Sequence, residues 1–226
     1  MSPASSGGGQ APALRGQISK PSTCERSILL ATRNPAKEAK LRWLLNGLSF
    51  AFATPREYPS VAEPEEDGTT HRHVAAKKAL FWSERASGLA IASDGGARVP
   101  ALGVAWDSLL TRRAAGIDVE DRDRADHLLG LTRGLKGAQR SVVWVEGLAL
   151  ARGGELLASW EVEGALGRLV ERYDPALIRG GFWMGGLLYL PRFGKVYAQL
   201  DPSELERADI CWNELRRRVR AYFKAA

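Results

Sequence analysis

The chain has 226 residues, of which 45% are hydrophobic and 26% charged, the balance of a globular protein with one large domain or two small lobes. Lys and Arg number 32 against 26 Asp and Glu, a formal charge of +6, without the basic runs typical of dedicated nucleic-acid binders. Two cysteines, Cys24 and Cys211, exclude a disulfide scaffold or a cysteine-rich zinc site and favour a reducing, cytoplasmic location. No apolar run approaches the roughly 20 residues of a transmembrane helix, so a membrane is not an expected partner. Because basic runs are also lacking, nucleic acid is not an expected partner either.

The beginning of the chain is mostly Ser, Gly, Pro and Ala, which cannot bury enough apolar surface to offset the entropy of an ordered chain. We therefore expect a disordered tail over residues 1–26 and one folded domain over residues 27–226. Residues 27–32 form a short apolar run that predicts a buried strand. Asn34 and Pro35 then suit the N-cap and the first residue of a helix.

The elements that follow are recognised by their apolar spacing and by the Gly and Pro residues between them. Further strands are predicted at residues 50–54, 89–92, 141–151, 155–163 and 187–190, and helices at residues 71–87, 105–110 and 119–131. The two long strands predict an antiparallel hairpin that turns at Gly153 and Gly154. An Arg-rich closing helix has its core face at Cys211, Leu215, Val219 and Tyr222. Alternating strands and helices followed by a hairpin indicate an α/β protein with a mixed sheet.

The segment from Thr32 to Lys37, TRNPAK, is the first candidate site because a strand there runs directly into a helix. The free backbone N–H groups at the start of such a helix favour an anion, most often phosphate. Lys37, in the first turn, can fold back toward that anion. A well-capped helix with a surface lysine is the alternative interpretation.

Carboxylates supply the second candidate site. Asp94 lies near the end of a predicted strand, and two glycines follow it, which lets a ligand approach closely. The cluster from Glu63 to Asp67 could join it in holding Mg²⁺ for phosphate-ester chemistry. A turn-forming aspartate and a solvated acidic loop are the alternatives.

Basic and aromatic residues complete the candidates. The basic ones could reach a cleft beside the sheet, although each could equally be a solvated charge: Lys77, Lys78, Arg112, Arg113 and Lys195. Phe182 and Trp183 lie between glycines and could stack on a base, as could Trp212, although core packing is the alternative for each. The three histidines show no metal-ligand spacing.

Together these segments resemble the ITP/XTP pyrophosphatase family of house-cleaning nucleoside triphosphate pyrophosphatases. The family's Thr-Gly-Asn-x-x-Lys is matched by residues 32–37, its Glu-x-Gly-x-Thr by residues 66–70, and its Lys-Ala pair by Lys78 and Ala79. Its Asp-Asp-Ser-Gly-Leu is matched by residues 93–97, Gly-Gly-Phe by residues 180–182 and Gly-Lys by residues 194–195.

The resemblance implies an elongated mixed sheet flanked by helices, two lobes with a central cleft, and a homodimer. It also implies Mg²⁺ as the cofactor, with Asp94 as the general base and with Glu66 and Asp94 as metal ligands. The residues implied to bind the nucleoside triphosphate are Thr32, Asn34, Lys37, Lys78, Arg112, Phe182, Trp183, Lys195, Trp212 and Asn213. Lys37 is also implied in catalysis.

Departures from the family pattern occur at single positions near the phosphate and metal end and also where the base is read. Ser93 replaces the first aspartate of the pair, and residues 211–213, CWN, stand where the family has Ser-His-Arg. The phosphate and metal end of the site is therefore expected to be retained, and the end that reads the base to be rebuilt.

We accordingly expect hydrolysis of a non-standard, modified or specialised nucleoside triphosphate to the monophosphate and diphosphate. A catalytically weakened nucleotide-binding protein of the same fold is the alternative. A nucleic-acid module that uses the arginines at residues 216–220 is a further one.

Overall fold

The computed structural model describes residues 26–225. The tail predicted over residues 1–26 lies, apart from Arg26, outside the described residues. Within residues 26–225 the strands are β1 (Arg26–Leu30), β2 (Phe50–Ala53), β3 (Leu89–Arg98), β4 (Ser141–Arg152), β5 (Glu155–Leu169), β6 (Leu188–Leu190) and β7 (Lys195–Val196). Over the same residues the α-helices are α1 (Pro35–Leu45), α2 (His71–Arg85), α3 (Asp121–Leu131), α4 (Pro202–Ala208) and α5 (Ile210–Ala225).

All the strands form one mixed sheet in the order β2-β1-β3-β4-β5-β6-β7. β1 lies parallel to both β2 and β3, and the remaining neighbours are antiparallel. The helices flank this sheet, which confirms the predicted α/β class.

Alternation along β1 divides the apolar residues between the two faces of the sheet. Ile28 and Leu30 pack against α1 and α5, whereas Leu29 and Ala31 pack against the small residues of α2. A separate core surrounds α3 and β6, beyond the far end of β3. The separate cores agree with the expected two lobes.

Local signals place two elements as predicted. The Asn34 side chain accepts hydrogen bonds from the backbone N–H groups of Ala36 and Lys37, at 2.8 and 3.2 Å, and Pro35 begins α1. Gly153 and Gly154 turn the β4–β5 hairpin with φ of +57° and +86°, a conformation that residues other than glycine rarely adopt.

Other predictions were wrong in detail. β3 continues to Arg98 instead of ending at residue 92, because β4 pairs with it along its whole length. The helix predicted at residues 105–110 is replaced by two 3₁₀ helices, Pro100–Ala105 and Ser108–Leu110, with the non-helical Gly103 in the first. Helix α4 and strand β7 were not predicted.

Arg140 joins the core around α3 to the end of β5. Its guanidinium is buried and donates to the carbonyl oxygens of Thr132, at 2.8 Å, and of Leu169, at 2.7 Å. It also donates to the carbonyl of Val170. One planar side chain thereby satisfies carbonyl groups of two separate segments.

Candidate active site

A cleft of about 860 Å³ opens where β1 ends, beside the first turn of α1. The sequence-predicted residues that line it are Thr32, Asn34, Lys37, Glu66, Lys78, Asp94, Arg112, Phe182, Trp183 and Trp212. Residues from distant parts of the sequence therefore surround one cavity, as a ligand site requires.

Asp94 reaches this cleft from the middle of β3 and not from its end. The parallel pairing of β1 with β3 stops at Leu30 and Ile91, so beyond that point the β1 side of β3 is open. β3 nevertheless continues, because Asp94 pairs with Gly147 of β4. A single strand thus supplies both the floor of the cleft and its carboxylate.

His71, the first residue of α2, holds Asp94 in place. Its Nδ1 lies 2.6 Å from Asp94 Oδ2, and its Nε2 lies 3.2 Å from Ser108 Oγ. The histidine is buried, and a Cβ atom at Gly147 would overlap its backbone. Because an ionised carboxylate only accepts hydrogen bonds, Nδ1 carries the proton of this contact.

Lys37 faces the other oxygen of Asp94. Its Nζ lies 3.8 Å from Asp94 Oδ1, which is too long for a hydrogen bond and leaves Oδ1 free to bind a ligand. Burial raises the pKa of Asp94, but the Lys37 charge and the hydrogen bond from His71 outweigh burial and hold that pKa below its usual range. Asp94 is therefore a carboxylate with one fixed oxygen and one available oxygen.

Glu66 is held by two cations at the same end of the cleft. Its Oε1 accepts from the nearly buried Lys78 at 2.7 Å, and its Oε2 lies 3.4 Å from Arg113. Burial raises the pKa of Glu66, yet the charge and hydrogen bond of Lys78 lower it to a net value below the usual range. The carboxylates of Asp94 and Glu66 thus each lie beside cationic side chains in this cleft.

Aromatic side chains form another part of the cleft wall. The ring of Phe182 lies edge-on to Trp144 at 4.8 Å and to Tyr197 at 5.1 Å between centroids. Trp183 and Trp212 are largely buried in the two cores and contribute only part of their surface to the cleft. The packing alternative therefore holds in part for both tryptophans.

Glu146 and Asp209 also line the cleft, each bonded to an aromatic residue, and were not predicted from the sequence. The Glu146 carboxyl accepts from Trp144 Nε1 at 2.8 Å, and burial raises its pKa. The Tyr197 hydroxyl donates to Oδ1 of Asp209 at 2.6 Å, and the Lys40 amine binds Oδ2 of the same carboxylate. Glu146 could have been recognised in the sequence as an acidic residue within an apolar strand. His71 could not, because its partner Asp94 is distant in sequence.

Two predicted binding residues do not line the cleft. Lys195 binds both oxygens of Glu204, in the first turn of α4, at 2.9 Å. Asn213 donates to the backbone carbonyl of Glu206 at 2.6 Å. The unpredicted helix α4 thus supplies both partners and draws these side chains away from the cavity.

Carboxylate oxygens are the ligands that Mg²⁺ prefers, and Asp94 and Glu66 present them in one cleft. Over residues 26–225, no three His, Cys, Asp or Glu side chains come close enough together to form a metal cage. Mg²⁺ is commonly held by one or two carboxylates together with substrate phosphates and water. The free Oδ1 of Asp94 and the adjacent Glu66 fit that mode of binding.

The arginines of α5 have partners within the protein. Arg217 and Arg218 bind Glu214, Arg220 donates to the backbone of Asn46, and Arg216 lies 4.4 Å from the ring centre of Trp43. These contacts disfavour a nucleic-acid surface on that helix. In the part of the chain described, no helix has the length and apolar character needed to cross a bilayer.

Comparison with known proteins identifies the family of this chain. The Ham1 family profile matches residues 28–210. A dITP/XTP pyrophosphatase of Thermus thermophilus is 32% identical over 198 residues, covering 86% of this chain and 91% of that protein. That of Desulforamulus reducens is 32% identical over 176 residues, covering 77% of this chain and 84% of that protein.

Solved structures agree on the fold. A HAM1 protein from Coxiella burnetii superposes with a TM-score of 0.74 at 24% identity, covering 89% of this chain and all of that one. The Staphylococcus aureus Ham1 protein gives a TM-score of 0.69 at 20% identity, over 87% and 99% of the two chains. The chain therefore belongs to the Ham1 family, the family of the ITP/XTP pyrophosphatases.

Proposed function

We propose that this protein is a Mg²⁺-dependent nucleoside triphosphate pyrophosphatase that releases the monophosphate and diphosphate. The observation that carries the proposal is the convergence of Lys37, Glu66 and Asp94 on one cleft. The relatives named dITP/XTP pyrophosphatases support a non-standard, modified or specialised purine nucleotide as the substrate.

The residues of the cleft divide the work of hydrolysis. The N-terminal N–H groups of α1 and the amine of Lys37 bind phosphate oxygens and stabilise the charge that develops on the leaving diphosphate. Oδ1 of Asp94 accepts a proton from the attacking water. At the same time the water oxygen forms a bond to the α-phosphorus, and the bond between that phosphorus and the leaving diphosphate breaks. His71 keeps Oδ2 occupied, so that Oδ1 is the oxygen that remains for this step.

Glu66 would hold Mg²⁺ together with Asp94, because Oδ1 of Asp94 has a second lone pair beside the one that accepts the proton. Lys78 and Arg113 keep Glu66 ionised. When bound, the ion neutralises phosphate charge and makes bound water more acidic. Arg112 and Thr32 also line the cleft and would contact phosphate oxygens of the substrate.

The substitution Asp94→Asn tests the proposal. We expect turnover to fall by roughly two or more orders of magnitude, the scale of general-base catalysis. Asp174→Asn is the matched control, because Asp174 caps a 3₁₀ helix and does not line the cleft. Undiminished hydrolysis by Asp94→Asn would refute the assigned role.

Ser93, in place of the family's first aspartate, favours the alternative of a nucleotide-binding protein with weakened catalysis. Diphosphate release from a panel of nucleoside triphosphates, with and without Mg²⁺, separates the two. Binding without release would support the alternative. The homodimer and the cytoplasmic location stay predictions, which sedimentation and cell fractionation can test.

A further inference from the structure

Asn34 joins the start of α1 to a segment far along the chain. Its side-chain Nδ2 donates to the backbone carbonyl of Gly181, which is 147 residues away in sequence, at 3.2 Å. α1 packs in the core that it shares with β1 and α5, whereas Phe182, which follows Gly181, packs against the core around α3 and β6. One hydrogen bond therefore connects segments that belong to different hydrophobic cores.

The amide group of Asn34 is held from both sides. Its Oδ1 accepts from the backbone N–H groups of Ala36 and Lys37, at 2.8 and 3.2 Å, so Nδ2 is the atom that faces Gly181. Oδ1 is an acceptor and cannot bind an ionised phosphate group, which carries acceptors only. Nδ2 carries two hydrogens and gives one of them to Gly181. Most of the hydrogen-bonding capacity of Asn34 is thus used within the protein.

The same contact fixes the peptide unit between Gly181 and Phe182. The oxygen of this unit accepts from Asn34, and its N–H donates to the carbonyl of Arg179 at 3.3 Å, which closes a turn. Because a peptide unit is planar, these two bonds set the direction in which the chain continues to the Phe182 side chain. Phe182 lines the cleft, as Asn34 does.

Gly181 allows the turn to approach α1 this closely. Its φ is +91°, a conformation that residues other than glycine rarely adopt. A Cβ atom here would lie 2.9 Å from the Cβ of Ala36 and 3.1 Å from Oδ1 of Asn34. Carbon atoms in contact normally lie about 3.5–4.0 Å apart. An alanine at this position would therefore push the turn away from α1.

Resting on the proposed function, we propose that Asn34 is a positioning residue that holds Phe182 at a set distance from the phosphate-binding start of α1. The triphosphate lies beside Lys37, and Phe182 packs against the base. The contact between Asn34 and Gly181 then fixes the span between these two parts of the bound nucleotide. It acts on a ligand that carries both a base and phosphates, and not on one that carries phosphates alone.

A comparison of ITP with inorganic tripolyphosphate provides the test, because tripolyphosphate has the phosphates of ITP and no base. Gly181→Ala should lower kcat/KM for ITP by roughly 10- to 100-fold, the scale of an ångström-sized misplacement. Asn34→Ser keeps a side-chain oxygen that can cap α1 but removes the amide donor. It should lower kcat/KM for ITP by roughly 3- to 10-fold, the effect of one hydrogen bond. In both variants the inhibition constant of tripolyphosphate should stay within about twofold of that of native protein.

Gly180→Ala is the matched control and should leave both quantities unchanged. A Cβ atom at Gly180 would meet no atom within 4 Å apart from its chain neighbours, and its φ is not positive. The double variant of Asn34→Ser and Gly181→Ala should lose no more activity than Gly181→Ala alone, because both substitutions break the same contact. Thermal melting confirms that each variant is folded.

A rise in the inhibition constant of tripolyphosphate in Asn34→Ser, as large as the fall in kcat/KM for ITP, would overturn the assignment, because Asn34 would then bind phosphate itself. Losses that multiply in the double variant, or equal losses in Gly180→Ala and Gly181→Ala, would also overturn it. If native protein does not hydrolyse ITP, the calorimetric affinities of ITP and tripolyphosphate decide the role of Asn34 by the same comparison. Hydrolysis of no nucleotide in the panel would overturn the proposed function alone.

Discussion

The contact between His71 and Asp94 makes a quantitative prediction about catalysis. His71→Leu removes the Nδ1–H donor and leaves the buried Asp94 Oδ2 without its 2.6 Å partner. A hydrogen bond to a charged group contributes about 1.5–3 kcal/mol, which corresponds to roughly 10- to 100-fold in a rate when the bond positions a reacting group. We expect kcat to fall by that factor, with KM changing by much less because the ring of His71 bonds to Asp94 and Ser108 and not to a residue assigned to phosphate binding.

The assay is steady-state diphosphate release at saturating Mg²⁺, with kcat and KM determined separately. His71→Asn places an amide N–H near the position of Nδ1 and should restore most of kcat. His73→Leu is the matched control, since His73 is exposed on the same helix and should leave both constants near those of native protein. Equal loss in His71→Leu and His71→Asn, or a loss confined to KM, would refute the positioning role.

Three further predictions concern the packing at Gly147, the side chain of Lys195 outside the cleft lining, and the buried thiol of Cys211. Gly147→Ala should lower the free energy of unfolding, measured by urea denaturation, by about 1–3 kcal/mol, because the added Cβ would overlap the backbone of His71. Gly134→Ala is the control, since its Cβ would enter open space and should change that free energy by no more than about 0.5 kcal/mol. Equal effects of the two substitutions would contradict this packing. Lys195→Ala should leave kcat/KM within about threefold of native protein, and a loss as large as the one expected for His71→Leu would mean that Lys195 turns into the cleft to bind substrate. Burial raises the pKa of Cys211, so in a Cys24→Ser background its thiol should react with Ellman's reagent far more slowly than free cysteine at pH 8, and rapid labelling would show that the site opens.

Elements specified by neighbouring residues could be predicted from the sequence. The Asn34–Pro35 start of α1 and the glycine turn of the β4–β5 hairpin depend on a few adjacent residues, and the structure has both. The alternation of strands and helices also predicted the α/β class. Most of the candidate residues were found from motif order, and they line one cleft.

Features that depend on partners distant in sequence could not be predicted. The continuation of β3 past Ala92 requires β4, which begins at Ser141. The role of His71 depends on Asp94, and the withdrawal of Lys195 depends on Glu204 of the short helix α4. In each case one residue's environment is set by tertiary contact, which local periodicity does not encode.

Arg140 has a consequence for how the domain responds to its surroundings. The contacts described for its guanidinium end on backbone carbonyl groups and on the Thr132 hydroxyl, none of which titrates in the ordinary pH range. Acid that protonates surface carboxylates, or salt that screens exposed ion pairs, leaves this junction between α3 and β5 intact. The lobe that contains Phe182 and Trp183 should therefore keep its internal geometry at acid pH or high salt, where the surface ion pairs have already broken.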